Sequence, residues 1–119
     1  MSSTKIAFAM CGSFCTFSKA IPQAQLLKEK GYDIIPIMSQ NASATDTRFG
    51  LAKDFIEKLE KISEKKLINS IKDAEPLGPK NMCDAMVIAP CTGNTLAKLC
   101  NGITDTSVTM AAKSLLRVG

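Results

Sequence analysis

Three short apolar runs divide the chain into segments that have a different, helical pattern. Residues 5–10, 33–38 and 85–89 are almost continuously apolar, as strands buried on both faces are. The longer segments between and after them carry apolar residues at helical spacing. The order β-α-β-α-β-α therefore predicts an α/β domain whose parallel sheet has helices on both faces.

The helical segments have recognisable ends. The first is predicted to run to Lys30 and stop at Gly31, with Pro22 either kinking it or opening its main part. Asp46 or Thr47 is the expected cap of the next helix. That helix has an apolar stripe of Phe55, Ile56, Leu59 and Ile62. Loops are predicted at 40–45 and 75–80. Further helical pieces are predicted at 67–71, at 95–100 and from Ser107 or Thr109 to Arg117.

Right-handed crossovers predict how the three strands are arranged. Strands one and three should lie side by side, with strand two outside strand one, and Pro36 favours an edge position for strand two. Ligands of such sheets bind beyond the carboxyl ends of the strands, where the loops at 11–13 and 90–94 leave the sheet. The expected fold is a Rossmann-like or flavodoxin-like three-layer sandwich, with a sheet left unfinished after the third strand and its helix.

Composition and charge argue against several classes of function. The net charge of +4 owes much to residues 53–66, where lysines alternate with acids, so a solvated helix face is favoured over a nucleic-acid patch. Aromatic residues make up only 5% of the chain, which argues against base stacking. Histidine is absent and the five cysteines form no CxxC pair, so no metal site is expected.

The compartment is predicted from the thiols and the N-terminus. A polar start and the lack of a long apolar run predict neither a signal peptide nor a membrane span. We therefore expect a cytoplasmic protein with reduced, mostly buried cysteines. Cys11 and Cys91, on the two loops, are the expected reactive pair, whereas Cys83 and Cys100 are interpreted as core residues.

The loop after strand one has the chemistry of a phosphate site. Gly12 permits close backbone approach, and Ser13 offers a hydroxyl where a helix begins, so an anion is favoured there. The alternative is an ordinary turn with a serine N-cap. A dinucleotide fingerprint is absent, so a mononucleotide phosphate fits better than NAD, with Ser39 as a second hydroxyl at the same rim.

The loop after strand three suits a planar ligand. Pro90 stops the strand, and Asn94 offers both donor and acceptor groups, as an isoalloxazine edge or a carboxylate requires. Thr92 and Thr95 belong to the same candidate cofactor site. The alternative interpretation is that Asn94 or Thr95 only caps the following helix.

These two loops together resemble the flavoprotein family, which includes cysteine-peptide decarboxylases, phosphopantothenoylcysteine decarboxylase and flavin prenyltransferases. The shared signatures are the Gly-Ser turn at 12–13, the Pro-x-x-x-Asn-Thr loop at 90–95, the Ala-Lys at 97–98 and the Gly-x-x-Asp ending at Asp105. The resemblance implies a flavoprotein-type domain over residues 1–119, an FMN cofactor and homo-oligomers with flavin near subunit contacts. The family's C-terminal part is expected to be absent.

The resemblance is most specific to one branch of that family, the B subunits of dipicolinate synthases. It covers the stretches 45–50, 74–80, 86–90, 92–98 and 110–113. It implies an oxidoreductase subunit that helps convert dihydrodipicolinate to dipicolinate in the mother cell during sporulation. An A subunit, the expected partner, would supply the NAD(P) site.

Substrate carboxylates need cations, and two are candidates. Arg48 can form a bidentate contact, although an exposed pair with a neighbouring acid is equally compatible with its position. Lys98 is a second candidate, and Asn94 could contact substrate as well as cofactor. No residue is identified as the catalytic base. The decarboxylases that this chain resembles use a histidine base, so the lack of histidine disfavours peptidyl-cysteine decarboxylation. The alternatives are another flavin-dependent decarboxylase or prenyltransferase, and a non-catalytic flavin-binding or scaffolding subunit.

Overall fold

The computed structural model describes residues 4–11, 17–44, 46, 50–77, 83–88 and 93–117. Strands and helices alternate as the apolar pattern predicted. In chain order the elements are β1 Lys5–Met10, α1 Phe17–Glu29, β2 Asp33–Met38, α2 Gln40–Ala44, α3 Ala52–Ser63, α4 Ile71–Ala74, a 3-10 turn Glu75–Leu77, β3 Ala85–Ile88, α5 Gly93–Cys100 and α6 Ser107–Arg117.

The sheet is parallel and has the strand order β2-β1-β3, as right-handed crossovers predicted. Phe8 of β1 lies level with Pro36 of β2 and Val87 of β3. The Pro36 carbonyl points away from β1 and accepts the N–H of Ile68 at 2.9 Å. In a strand, the nitrogen and the carbonyl of one residue face the same side. The nitrogen of Pro36 therefore also faces away from β1, and its lack of an N–H removes no hydrogen bond from the β1–β2 ladder.

Alternation along β1 divides the core into two layers, one on each face of the sheet. Phe8 and Met10 face a cluster built with α1 and α3, where the rings of Phe17 and Phe55 meet edge to face with centroids 5.0 Å apart. The small alanines between them face α4 and α6 on the other side. Both faces of β1 are covered, and the predicted three-layer sandwich is confirmed.

Helix ends agree with the prediction where a local residue determines them. α1 continues through Pro22 and ends shortly before Gly31, whose φ of +95° lies in the left-handed region. α5 ends in the same way before Gly102, at φ +70°. The apolar stripe of α3 is also confirmed, because Phe55 and Leu59 are buried.

Two local predictions between β2 and β3 are wrong. The segment 40–45 was predicted to be a loop, but α2 forms there because the Ser39 Oγ accepts the N–H of Ala42 at 3.1 Å and caps the turn. The helical piece expected at 67–71 is misplaced. Ile68 instead bridges to the outer edge of β2, and a helix begins only after this bridge, with α4.

The start of α3 differs from the prediction, because its N-cap position is Leu51, which makes no side-chain cap hydrogen bond. The helix begins at Ala52, several residues after the expected start at Asp46 or Thr47. Even so, Asp46 Oδ1 accepts the N–H of Ala52 at 2.8 Å, so its carboxylate satisfies a first-turn donor from outside the helix. Thr47 lies outside the described residues.

The third strand is not fully buried, contrary to the prediction for 85–89. Ala85 is exposed and Val87 retains 38% of its accessible surface, whereas β1 residues beside them are buried. Among the described residues, β3 pairs only with β1, and no helix covers its α1-side face. A continuous apolar run predicts that both faces of a strand are covered. It does not show whether this chain itself supplies the cover on both faces.

Candidate functional site

The carboxyl ends of the three strands and the first turns of three helices meet at one rim of the sheet. β1 ends at Met10, β2 at Met38 and β3 at Ile88, and the strands are parallel. α2 begins directly after β2, and the Ser107 hydroxyl at the start of α6 reaches the Met38 carbonyl. This rim is the place where sheets of this kind bind ligands, because helix N-termini and strand ends converge there.

Several predicted site residues lie outside the described residues, and their roles stay predictions. Asn94 lies in the first turn of α5, but its side chain is likewise outside the description. The others are Gly12, Ser13, Arg48, Pro90 and Thr92, together with the reactive-thiol candidate Cys91.

Thr95 lies at the rim but turns inward. It is 7% exposed, and its Oγ1 donates a hydrogen bond to the Sγ of Cys11 at 3.4 Å. Cys11 directly follows β1 and is 1% exposed, so this contact joins the first turn of α5 to the end of the central strand. α5 begins at Gly93, two residues before the predicted start at Thr95.

Ser39 occupies the predicted rim position between β1 and β2. Its backbone N–H donates to the Met10 carbonyl at 3.0 Å, which extends the ladder by one step. Its side chain is buried, and one lone pair of the hydroxyl is engaged by the N–H of Ala42. A serine hydroxyl also has a donor, so Ser39 remains able to contact a ligand while it caps α2.

Gln40 is a rim residue that the sequence prediction placed in a loop and did not assign a role. Its Oε1 accepts the N–H of Ser107 at 3.0 Å, and the Ser107 Oγ donates to the Met38 carbonyl at 2.5 Å. These two bonds attach the start of α6 to the end of β2. From the sequence, only Ser107 could be predicted to matter here, as a residue that starts a helix. The two contacts join residues 67 and 69 positions apart, so they depend on the fold.

A reciprocal cap reinforces the same end of α6. The N–H of Thr109 donates to Thr106 Oγ1, and the N–H of Thr106 donates to Thr109 Oγ1, both at 3.0 Å. This is the arrangement of a capping box, with threonine in the place of the usual glutamate or glutamine. The helix therefore begins at Ser107, the first of the two predicted starts.

Lys98 is balanced by the acid at the end of the Gly-x-x-Asp motif. Its Nζ lies 2.9 Å from the Asp105 Oδ1, and the lysine side chain is 22% exposed. The pair links α5 to the loop before α6. Lys98 stays a candidate for substrate binding, but its charge already has a partner.

The described cysteines divide into two buried thiols and one exposed thiol. Cys11 and Cys83 are buried, whereas Cys100, in the last turn of α5, is exposed, so the core interpretation of Cys100 is wrong. Burial, and to a lesser extent the neighbouring Asp84 carboxylate, raise the pKa of the Cys83 thiol, while a backbone hydrogen bond at Ala7 acts in the opposite direction. The burial of Cys11 also limits the access on which its predicted reactivity depends.

Two other kinds of site can be assessed over the same described ranges. Within them, no group of three or more cysteine or carboxylate side chains is placed to hold a metal ion. None of the helices formed by these residues combines the length and the apolar character needed to cross a membrane.

Known proteins resemble this chain in sequence and in fold. The model of the flavoprotein family matches residues 1–119. The chain belongs to the flavoprotein family. A curated member, the B subunit of dipicolinate synthase from Bacillus subtilis (strain 168), is 44% identical over 113 residues, which are 95% of this chain and 56% of that protein.

Solved structures of flavoproteins have the same fold. The crystal structure of the dipicolinate synthase B subunit from Bacillus halodurans C matches at a TM-score of 0.85 and 40% identity, over 99% of this chain and 60% of that one. The FMN-dependent cysteine decarboxylase SpaF matches at 0.73 and 22% identity, over 93% of this chain and 62% of that one. AnUbiX in complex with FMN and dimethylallyl pyrophosphate matches at 0.72 and 18% identity, over 98% and 61%.

The chain therefore has the flavodoxin-like fold, and it spans just over half the length of the curated relative that it matches. The likeness to the last two structures concerns the fold alone. It agrees with the parallel sheet.

Proposed function

We propose that this chain is a B-type subunit of a dipicolinate synthase, which binds FMN at the rim and helps oxidise dihydrodipicolinate to dipicolinate. The observation that carries the proposal is the 44% identity to a B subunit over 95% of the chain. The rim supports it, because loops of the quoted flavoprotein signatures leave the sheet there. The cofactor-binding residues that we propose are Gly12, Ser13, Ser39, Pro90, Thr92 and Asn94, whereas the hydroxyl of the remaining candidate, Thr95, donates inward to Cys11.

The donor set of the rim fits an anionic, planar cofactor. The start of α5 presents main-chain N–H groups at the rim, and this helix is long enough for its dipole to favour a negative group. Ser39 adds a hydroxyl beside the end of β1. FMN, when bound, would supply a centre able to accept two electrons from the dihydropyridine ring.

The substrate carboxylates require cations and amide donors near the cofactor. Arg48 is our first candidate because a guanidinium binds a carboxylate through two parallel hydrogen bonds. Lys98 and Asn94 are the further candidates on α5. We assign no residue of this chain as the general base.

The proposal includes a division of labour between two subunits. Loss of two electrons and two protons aromatises the substrate ring, and the final electron acceptor is NAD(P) on an A-type subunit. This chain lacks a dinucleotide fingerprint of its own, in agreement with that division. We place the complex in the reducing cytoplasm of the mother cell.

A spectrum and a turnover assay test the proposal. The purified chain is titrated with FMN, and dipicolinate formation is then measured with the chain alone, with the A-type subunit alone and with both, in the presence of NAD(P). We expect flavin binding by this chain and full turnover only with both subunits. Gly12→Val should weaken FMN binding, because a side chain would obstruct the close backbone approach.

Different failures of this experiment have different meanings. Flavin binding with turnover of another substrate, without a partner, would favour a decarboxylase or prenyltransferase. No flavin binding, together with stimulation of the partner, would favour a scaffolding subunit. Turnover by the A-type subunit alone at the rate of the mixture would refute the proposed role outright.

A further inference from the structure

The contact between Thr95 and Cys11 assigns a role to two residues at the rim. We propose that this hydrogen bond is a positioning contact of the flavin site: it holds the first turn of α5 against the end of β1, so that the main-chain N–H groups at the start of α5 keep one position relative to the central strand. Thr95 is then a positioning residue and does not itself bind the cofactor. The inference rests on the proposed function, since it concerns the same FMN site.

The direction of the Thr95 side chain is the first argument. A threonine that lined the site would present its hydroxyl to the open side of the rim. Here the residue is 7% exposed and its Oγ1 donates inward to Cys11 Sγ at 3.4 Å. The proton of this hydroxyl is therefore directed to the sulfur and away from the ligand side.

The place of the contact in the fold is the second argument. Cys11 and Thr95 are 84 residues apart and belong to the two segments that predict the flavin site. Other bonds described for α5 stay within it and the loop that follows: Lys98 pairs with Asp105, and the Asn101 side chain donates to the Ala97 carbonyl at 2.8 Å. The Thr95 bond reaches the central strand, so it fixes the start of the helix relative to the sheet.

Burial is the third argument, because it makes the contact sensitive to substitution. Cys11 is 1% exposed, so water cannot easily take the place of the threonine hydroxyl beside the sulfur. Removing the hydroxyl while keeping its shape, as Thr95→Val does, leaves the start of α5 without this link. A hydrogen bond has a net value of about 1 kcal/mol, which corresponds to roughly a fivefold change in an equilibrium constant.

A double-mutant cycle on FMN affinity tests the assignment. FMN titrations are made on the wild type, Thr95→Val, Cys11→Ala and the double variant. We expect each single variant to bind FMN about fivefold more weakly, and the double variant to lose less than the sum of the two single losses, because the Thr95–Cys11 contact is missing from all three. Thr95→Ser and Cys11→Ser keep a donor and an acceptor, and they should retain most of the affinity.

A matched control separates positioning from general stability. Ser63 is another buried hydroxyl, 1% exposed, which bonds to Glu60 and Lys65 backbone atoms at the C-terminal end of α3. Ser63→Ala should lower the melting temperature without changing FMN affinity. Thr95→Val should change the affinity by more than its loss of stability accounts for.

The outcomes distinguish this inference from the proposed function. No FMN binding by the wild type would overturn both. Wild-type binding with unaltered affinity in Thr95→Val, or additive losses in the cycle, would overturn the positioning role alone.

Discussion

At the scale of single residues, three hydroxyls at the rim engage protein atoms and thereby build the site. Thr95 donates to Cys11, Ser107 donates to the Met38 carbonyl, and Ser39 accepts from the backbone of α2. Sequence patterns identified all three as polar residues near loops. Whether a hydroxyl faces a ligand or the protein depends on which buried group lies within reach, and that group is far away in the chain.

Arg48 gives a prediction at this scale. Arg48→Lys should reduce kcat/KM for dihydrodipicolinate in the two-subunit assay, because lysine cannot replace a bidentate contact; the loss should be about 1.5–3 kcal/mol. The unfolding free energy should change little. The same substitution at Arg117, the last residue of α6, serves as the control. Equal kinetics for Arg48→Lys and wild type would make Arg48 an ordinary surface residue.

Cys83 gives a prediction for pH. Its raised pKa means that the unfolded chain releases the thiol proton at a lower pH than the folded chain does. The stabilising effect is therefore complete below the unfolded pKa, about 8.5, and is lost as the pH rises toward the folded pKa. Urea unfolding from about pH 7 to about pH 10 should show a steeper loss for wild type than for Cys83→Ser. Parallel curves would contradict this.

At the scale of elements, the rim depends on how helix starts are attached to strand ends. α2 begins on Ser39, α5 is bonded to the residue after β1, and α6 is bonded to the last residue of β2. Amphipathic spacing predicted that these helices pack on the sheet. The hydrogen bonds to the strand ends determine where the N-terminus of each helix lies. A site formed by helix N-termini needs these N-termini in fixed positions.

Ser107→Ala tests the attachment of α6. The substitution leaves the hydroxyl's acceptor, the Met38 carbonyl, without this partner in a fully buried position. We expect a loss of about 1–3 kcal/mol in the free energy of unfolding. Ser43→Ala is the control, because its hydroxyl bonds only locally to the Gln40 carbonyl on a short helix. A Ser107 variant as stable as the control would show that packing alone holds α6.

At the scale of the whole molecule, β3 presents an open apolar side. Val87 is 38% exposed, and it lies with Leu26, 48% exposed, along a half-open groove of about 330 Å³ beside α1. Leu116 of α6 is 78% exposed on another surface. Within the described residues, the outer edge of β3 has no neighbouring strand. Such an edge and face favour association.

We therefore expect this chain to self-associate or to bind its A-type partner through apolar surface. Sedimentation at micromolar concentration should show species larger than the monomer. Val87→Lys should reduce this association, whereas Leu51→Lys, which changes another half-exposed leucine at the start of α3, should not. A stable monomer that binds neither the partner nor an apolar dye would refute the expectation.

The sequence by itself determined the elements and their order, because those depend on local patterns. The continuous apolar run of β1, the stop at Gly31 and the stripe of α3 each predict one structure from neighbouring residues. The quoted motifs also indicated the family, which the family model over residues 1–119 confirmed. Crossover handedness then predicted the strand order without further information.

Only the tertiary structure decided which neighbours those elements have. β3 has the apolar composition of a central strand, yet it is half exposed. The burial of a strand depends on the elements that pack against it, and its own residues do not determine which elements those are. Ile68 extends along β2 against its expected helical state, because unpaired edge groups offered it two hydrogen bonds. Thr95 turns toward Cys11 for the same reason: a buried sulfur 84 residues away provides an acceptor that no local pattern contains.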